Sequence, residues 1–169
     1  MPVLQPPPFR VYLMRHARAA WPAPGGRDFD RPLDNAGYAE AELIADKAAD
    51  KGFAPDVVLS STALRCRETA QAVRRAFNDT FEVSYVDEMY NAEAALYLAL
   101  ISAQTMSQSV MLVGHNPAME AALETFIGQQ KMAALLPMGF PTAGLAVLDA
   151  KPEQNASGAI WTLSEFLAP

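Results

Sequence analysis

The sequence predicts an α/β fold of three layers, in which helices cover both faces of a mostly parallel central sheet. Short apolar runs typical of buried strands alternate with segments whose apolar residues recur at helical spacing. Three of these runs end in polar residues, at the position where open α/β sheets collect ligand-binding groups. The 169 residues, 51% of them hydrophobic, suit one domain over 1–169 with a proline-rich lead-in at 1–9.

The first predicted strand, 11–14, leads into Arg15 and His16, and a loop rich in Pro, Gly and Asp then runs to residue 33. An Asp-Asn pair at 34 and 35 can cap a helix that ends near residue 51, since Gly52 suits a helix C-terminus. Four residues at helical spacing form the expected core stripe of this helix: Ala36, Ala39, Leu43 and Ala48.

The second predicted strand begins at residue 57 and ends in Ser60 and Ser61, and the helix after it carries Arg65 in its first turn. A cation at a helix N-terminus is disfavoured by about 0.3–1 kcal/mol unless an anion lies beside both. Phosphate is the common ligand of helix N-termini. This segment therefore predicts a local anion site.

The remaining elements continue the alternation, with a strand at 81–86 and a helix at 93–102. The fourth strand, 110–113, leads into His115, and we expect Asn116 to cap a helix whose first residue is Pro117. That arrangement would direct free backbone N–H groups toward His115. A fifth strand at 144–148 and an edge strand at 160–163 complete the sheet.

The chain has two histidines, His16 and His115, and each closes an apolar run. Together with Arg15 and Arg65 they predict a phosphate site, because a guanidinium donates two parallel hydrogen bonds to phosphate oxygens and stays charged. Each histidine could instead be a hydrogen-bonded core residue, and each arginine could hold an ion pair. Those roles do not explain why the residues follow strand ends.

The acidic composition limits the partners of the chain. A net charge of −6 and a pI near 4.8 argue against a nucleic-acid or anionic-membrane surface, which requires a basic face. No apolar run approaches the length of a membrane span. Cys66 is the single cysteine, which excludes an intramolecular disulfide and favours the cytoplasm. We interpret Cys66 as a small buried helix residue rather than a reactive thiol.

These motifs, taken in order, resemble the histidine phosphatase superfamily, which has a phosphoglycerate mutase-like fold. The short length, the Arg-Pro-Leu stretch and the Gly-His-Asn-Pro turn are most similar to small phosphohistidine phosphatases of the SixA type. The resemblance covers nearly the whole chain and rests on Arg15-His16-Ala17, Asp30-Arg31-Pro32-Leu33 to Gly37, Ser60-Ser61 to Arg65 to Thr69, Leu112 to Pro117 and Pro141-Thr142.

The resemblance implies that His16 is a nucleophile that forms a phosphohistidine, while Arg15, Arg65 and His115 surround the phosphoryl oxygens. We expect no cofactor, and no metal either, because the motifs supply cations from arginine and histidine and lack a cluster of His, Cys and carboxylate ligands. A neutral nucleophile requires His16 to hold its proton on the other ring nitrogen, against an acceptor such as a carbonyl. For His115, the arginines lower the pKa and bound phosphate raises it, so we expect this ring to gain charge when substrate binds.

The proton donor for the leaving group has three candidates. Glu88 follows the third strand, in a region where many relatives in the superfamily place a carboxylate for this purpose. Asp28 and Asp30, in the loop after the first strand, are further candidates. The acids ahead of the helix could equally serve as capping and dipole partners.

The resemblance favours a phosphorylated protein, carrying phosphohistidine, as the substrate. A phosphoramidate leaves through a nitrogen that protonates readily, so it needs a dedicated acid less than an alkyl ester does. A small-molecule phosphomonoesterase acting on phosphorylated metabolites is the alternative within the superfamily. A phosphate-binding module without catalysis is the alternative from another class, and turnover distinguishes it.

Overall fold

The structure is a computed structural model that describes residues 4–152 and 159–169. In these ranges a central sheet lies between two groups of helices. Its strands are β1 (Arg10–Arg15), β2 (Val57–Ser61), β3 (Val83–Val86), β4 (Ser109–Gly114), β5 (Leu145–Pro152) and β6 (Ala159–Leu167). The helices are α1 (Asn35–Asp50), α2 (Leu64–Ala76), α3 (Ala94–Ser102), α4 (Ala118–Ile127) and α5 (Gln129–Leu135), with 3-10 turns at Asp28–Asp30 and Asp87–Met89.

The strand order is β3-β2-β4-β1-β5-β6, and the first four of these strands are parallel. The last two pair antiparallel, β5 with β1 and β6 with β5. The predicted fold class, three layers with a mostly parallel sheet, is confirmed. Because β4 lies between β1 and β2, the three strands that carry polar motifs are neighbours, and their carboxyl ends meet at one edge of the sheet.

Each face of the sheet carries its own apolar core. Along β1, Tyr12 and Met14 belong to the cluster under α1 and α2, whereas Val11 and Leu13 belong to the cluster under α3 and α4. All four side chains are almost completely buried, since successive residues of a strand point to opposite faces. Apolar side chains therefore pack on β1 from both faces of the sheet, which fixes the position of the residues that follow this strand.

The helix α1 begins and ends close to its predicted limits, but its predicted core stripe is wrong. Ala36, Ala39 and Leu43 are exposed, and Ala48 alone of the four is buried. A side chain at Gly37 would place its Cβ 2.0 Å from the backbone oxygen of Arg18. The loop therefore requires Gly37 to face inward and rotates the buried stripe by one residue: Gly37, Ala41, Ile44, Ala45 and Ala48.

The start of α4 also differs from the prediction. The helix begins at Ala118, and Pro117 occupies the capping position without a side-chain hydrogen bond. The Asn116 amide instead donates to Glu120 Oε2 at 3.2 Å and to the Phe140 carbonyl at 3.3 Å. Asn116 therefore ties the turn after β4 to the segment before β5 rather than capping α4.

Three other predicted limits shift by a few residues. The third strand is shorter than predicted, and the fifth and sixth are longer. The helix α5 was not predicted; Gly128, at a φ of 84°, separates it from α4. No helix in the described part of the chain has the length and apolar character needed to cross a bilayer.

Candidate active site

Three predicted site residues meet at the carboxyl edge of the parallel strands. His16 follows β1, His115 follows β4, and Arg65 lies in the first turn of α2 after β2. The two imidazole rings have centroids 5.4 Å apart, and Arg65 Nη2 lies 3.4 Å from His115 Nδ1. All three side chains are buried, although each is polar. The fold thus gathers two imidazole rings and a permanent cation in one place.

His16 has its two ring nitrogens in different environments. Nδ1 lies 2.7 Å from the carbonyl oxygen of Ala17, which can only accept, so the proton of the neutral ring resides on Nδ1. Burial lowers the pKa of His16 to about 3, partly offset by the Ala17 hydrogen bond, and neighbouring cations such as Arg65 lower it further. At neutral pH, Nε2 therefore carries a free lone pair and is able to attack phosphorus.

His115 is held at both its backbone and its ring. Its N–H donates to the hydroxyl of Tyr97 at 2.9 Å, and its Nε2 lies 2.8 Å from Ser61 Oγ. Burial, followed by the positive charge of Arg65, lowers the pKa of His115 to about 4. The ring is therefore neutral at pH 7 in the free protein. The pKa shift has the direction expected from the neighbouring arginines.

Arg15 lies beside His16 at the end of β1, and its guanidinium is half-buried. Nη1 donates to the carbonyl of Phe140 at 2.7 Å. The Nε atom is buried and has no hydrogen-bond partner among the described residues. An unpaired buried donor costs about 1–3 kcal/mol, so a partner for this N–H would stabilise the folded protein.

Asp28, one of the predicted alternative acids, contacts the site directly. Its backbone oxygen accepts from Arg65 Nη1 at 2.9 Å, and its Oδ2 accepts from Arg65 Nη2 at 3.1 Å and from the Tyr90 hydroxyl at 2.7 Å. The hydrogen bond from Tyr90, with smaller contributions from Arg31 and Arg65, lowers the pKa of Asp28 to about 2. Asp28 is therefore a carboxylate that orients Arg65.

The other two predicted acids lie away from this cluster. Glu88 is exposed, and within the described ranges it has no hydrogen-bond or ion-pair partner. Asp30 accepts from Arg27 at 2.8 Å, on the exposed side of the loop. Neither acid contacts His16 or His115 in this structure.

Several residues of the site were not identified from the sequence. The Tyr90 ring lies 5.7 Å from His115 and 5.9 Å from the Arg65 guanidinium carbon, and Tyr97 supports the His115 backbone. Cys66 is buried as predicted, with Sγ 3.4 Å from His115 Nε2, and burial raises its pKa to about 12. Apolar periodicity cannot reveal such contacts, because aromatic rings and thiols also fit a core stripe.

The described residues contain no group of three or more His, Cys, Asp or Glu side chains that could hold a metal ion. The positive charge near His16 in this part of the structure comes instead from arginine. Guanidinium groups suit phosphate oxygens, because their donors are planar and paired. The arrangement can therefore bind and polarise a phosphoryl group beside a neutral nucleophilic nitrogen.

Comparison with known proteins agrees with this chemistry. Residues 11–93 match the histidine phosphatase superfamily (branch 1). A crystal structure of a candidate phosphohistidine phosphatase SixA from Agrobacterium tumefaciens is 61% identical, with a TM-score of 0.88 over 96% of this chain and 99% of that chain. The chain belongs to the histidine phosphatase superfamily. Its similarity to SixA places this histidine phosphatase among the SixA-type members of the superfamily.

Three more distant proteins are also similar to this chain. A candidate phosphohistidine phosphatase SixA from Nakamurella multipartita is 26% identical, with a TM-score of 0.71 over 95% of this chain and 96% of that chain. An uncharacterized protein of Mycobacterium tuberculosis is 33% identical over 140 residues, which cover 80% of this chain and 85% of the relative. A chloroplastic protein of Arabidopsis thaliana is 31% identical over 129 residues, 70% of this chain, and this histidine phosphatase spans 59% of that relative.

Proposed function

We propose that this histidine phosphatase removes phosphoryl groups from phosphohistidine in proteins, with His16 as its nucleophile. The observation that carries the proposal is the state of His16, a buried neutral imidazole whose Nδ1–H is held by the Ala17 carbonyl. A nucleophilic histidine requires this tautomer, because only the unprotonated nitrogen can attack. Nε2 is thus prepared beside Arg65 and His115.

The reaction proceeds in two displacements at phosphorus. Nε2 of His16 forms a bond to phosphorus while the bond to the leaving imidazole nitrogen breaks, and that nitrogen keeps the electron pair and takes up a proton. Water then attacks phosphorus, the bond to Nε2 breaks, and inorganic phosphate leaves. Arg15, Arg65 and His115 stabilise the charge on the equatorial oxygens, and preorganised donors of this kind supply most of the catalysis.

The state of Asp28 removes one of the candidate proton donors, which supports phosphohistidine as the substrate. With a pKa of about 2 it is ionised at neutral pH and cannot donate a proton to a leaving group. An alkoxide leaving group depends on such a donor, whereas an imidazole nitrogen acquires its proton readily. We accordingly propose a phosphorylated protein as the partner of the site and the cytoplasm as its compartment, with small phosphorylated metabolites as the alternative substrates.

The test is phosphate release from a phosphohistidine protein, from acetyl phosphate and from an aryl phosphate. Wild-type protein should turn over the phosphohistidine substrate and form an acid-labile phosphoenzyme, which His16→Ala should abolish. His115→Ala removes the other histidine and serves as the matched variant, because it retains the nucleophile and should still form the phosphoenzyme slowly. If wild-type protein releases phosphate from none of the three substrates, the proposal is wrong and the alternative of a phosphate-binding module is favoured.

A further inference from the structure

Ser61, the last residue of β2, contacts the second histidine of the site. Its Oγ lies 2.8 Å from His115 Nε2, and both side chains are buried. The neighbouring Ser60 is equally buried, but its hydroxyl donates to the backbone oxygen of Ser61 at 2.9 Å and contacts neither histidine. Two adjacent serines on one strand therefore have different surroundings.

The Ser61 hydroxyl has three neighbours among the described residues: the Ala63 N–H, the Cys66 thiol and His115 Nε2. The backbone N–H of Ala63 donates to Ser61 Oγ at 3.3 Å, so the oxygen already acts as an acceptor on that side. The proton of the hydroxyl is then free to point at His115 Nε2. Cys66 Sγ, 3.4 Å from the same nitrogen, is a protonated thiol and a second weak donor. Nε2 thus lies among donors and is suited to accept.

The other ring nitrogen of His115 lies beside Arg65. Nδ1 lies 3.4 Å from Arg65 Nη2, which can only donate. This contact is long and weak beside the 2.8 Å contact between Ser61 Oγ and Nε2, so the Ser61 contact has the stronger influence on the tautomer. With the proton on Nδ1, this N–H and the guanidinium could both donate to an oxygen of a bound phosphoryl group.

We propose that Ser61 is a positioning residue that donates to Nε2 of His115, keeps the proton of the neutral ring on Nδ1, and thereby makes Nδ1–H a donor to the substrate phosphate. The inference rests on the proposed role of His115 in binding the phosphoryl group. Without the Ser61 hydroxyl, the proton can move to Nε2, and the lone pair of Nδ1 then faces a phosphate oxygen. Phosphate binding weakens because a donor is replaced by an acceptor.

The experiment compares Ser61→Ala with Ser60→Ala as a matched control on the same strand. Nitrogen-15 NMR of the imidazole rings at pH 7 reports the tautomer directly, and the two histidines are distinguished with His16→Ala. Wild type and Ser60→Ala should show His115 protonated on Nδ1, whereas Ser61→Ala should shift it toward Nε2. Inorganic phosphate, used as the probe, should bind Ser61→Ala at least about tenfold more weakly, the size of one hydrogen bond to a charged group.

The tautomer is measured without turnover, so its result is separate from that of the proposed function. If the wild-type ring is protonated on Nε2, or if Ser61→Ala keeps the wild-type tautomer, Ser61 does not position His115. A loss of phosphate affinity in Ser60→Ala equal to that in Ser61→Ala would show a packing effect and overturn the inference as well. Failure of the wild-type protein to release phosphate from any substrate would contradict the phosphatase mechanism while leaving the tautomer result valid.

Discussion

At the scale of single residues, the site pairs neutral histidines with permanently charged arginines. The pKa values of His16 and His115 are lowered to about 3 and about 4, so neither ring is a cation at neutral pH in the free protein. Arg65 is buried and already oriented by Asp28. Because reorganisation is small, a preorganised guanidinium stabilises the transition state more than a flexible surface cation would.

Arg65→Ala should therefore reduce kcat/KM by the equivalent of about 2–4 kcal/mol, as the loss of one preorganised donor typically does. The matched control is Arg67→Ala on the same helix, because Arg67 is exposed and its guanidinium carbon lies 5.5 Å from the Tyr85 ring centroid, on another side of α2. Steady-state kinetics and thermal unfolding are measured for both. A large fall in Tm with little loss of rate would show that Arg65 is structural.

The identity of the leaving-group acid is tested by a ratio of substrates. Glu88 is exposed and contacts neither histidine in the free protein, so its role as the acid rests on the resemblance alone. On that hypothesis, Glu88→Gln should reduce kcat/KM for an alkyl phosphate ester far more than for a phosphohistidine protein, because a positioned acid contributes roughly two to four decades to the ester reaction. Asp28→Asn is the comparison variant: it loosens Arg65 and should slow both reactions alike. Equal losses on both substrates in Glu88→Gln would remove Glu88 as the acid, and a wild-type preference for esters would favour a small-molecule phosphomonoesterase.

At the scale of elements, the site depends on how α3 packs under the end of β4. Tyr97 of α3 is completely buried, and its hydroxyl accepts the backbone N–H of His115. Gly114, the last residue of β4, leaves room for this ring, because a Cβ there would lie 2.3 Å from the Tyr97 hydroxyl oxygen. A glycine and a tyrosine from different elements thus fix the His115 backbone together.

Gly114→Ala should destabilise the fold by about 1–3 kcal/mol, the usual cost of overpacking, and should lower activity by displacing Tyr97 from His115. Urea unfolding and kinetics measure the two effects. In a Tyr97→Ala background the same substitution should cost much less free energy of unfolding, because the clash partner is gone. Additive costs of the two substitutions would contradict this packing account.

Sequence periodicity predicted the positions of several strands and helices, but not every buried face. Strands β1, β2 and β4 were predicted because their apolar runs are buried on both faces and end in polar residues. In α1 the limits were predicted, but the buried face was not, because the close approach of Gly37 to Arg18 sets the rotation of the helix. Capping signals are local, whereas the phase of a helix depends on its tertiary neighbours.

At the scale of the whole molecule, the buried histidines couple folding to pH. Both rings have folded-state pKa values far below the value of 6.5 for an unfolded histidine. Below pH 6.5 the unfolded chain therefore binds more protons than the folded protein, and stability falls as the pH decreases. Asp28 acts in the same sense at lower pH, since its folded pKa of about 2 lies below the ordinary value of 3.8.

The free energy of unfolding should consequently be nearly constant from pH 8 to pH 7 and decline between about pH 6.5 and pH 4. Urea titrations across this range measure it. His16→Gln, which removes one buried titrating ring, should show a shallower decline than wild type. An equal slope in both proteins would indicate that acidic destabilisation arises from other groups.

Local signals in the sequence predicted the three-layer class, the order of the six strands and of helices α1 to α4, and the candidates His16, Arg15, Arg65 and His115, because strand ends and helix starts are encoded locally. The helix α5 and the partner of each candidate emerged from the folded structure. Asp28 contacts Arg65 across 37 residues of sequence, and Ser61 contacts His115 across 54. These residues come together because β4 lies between β1 and β2 in the sheet. The tautomers and pKa values of the site therefore depend on tertiary packing, which no local sequence pattern encodes.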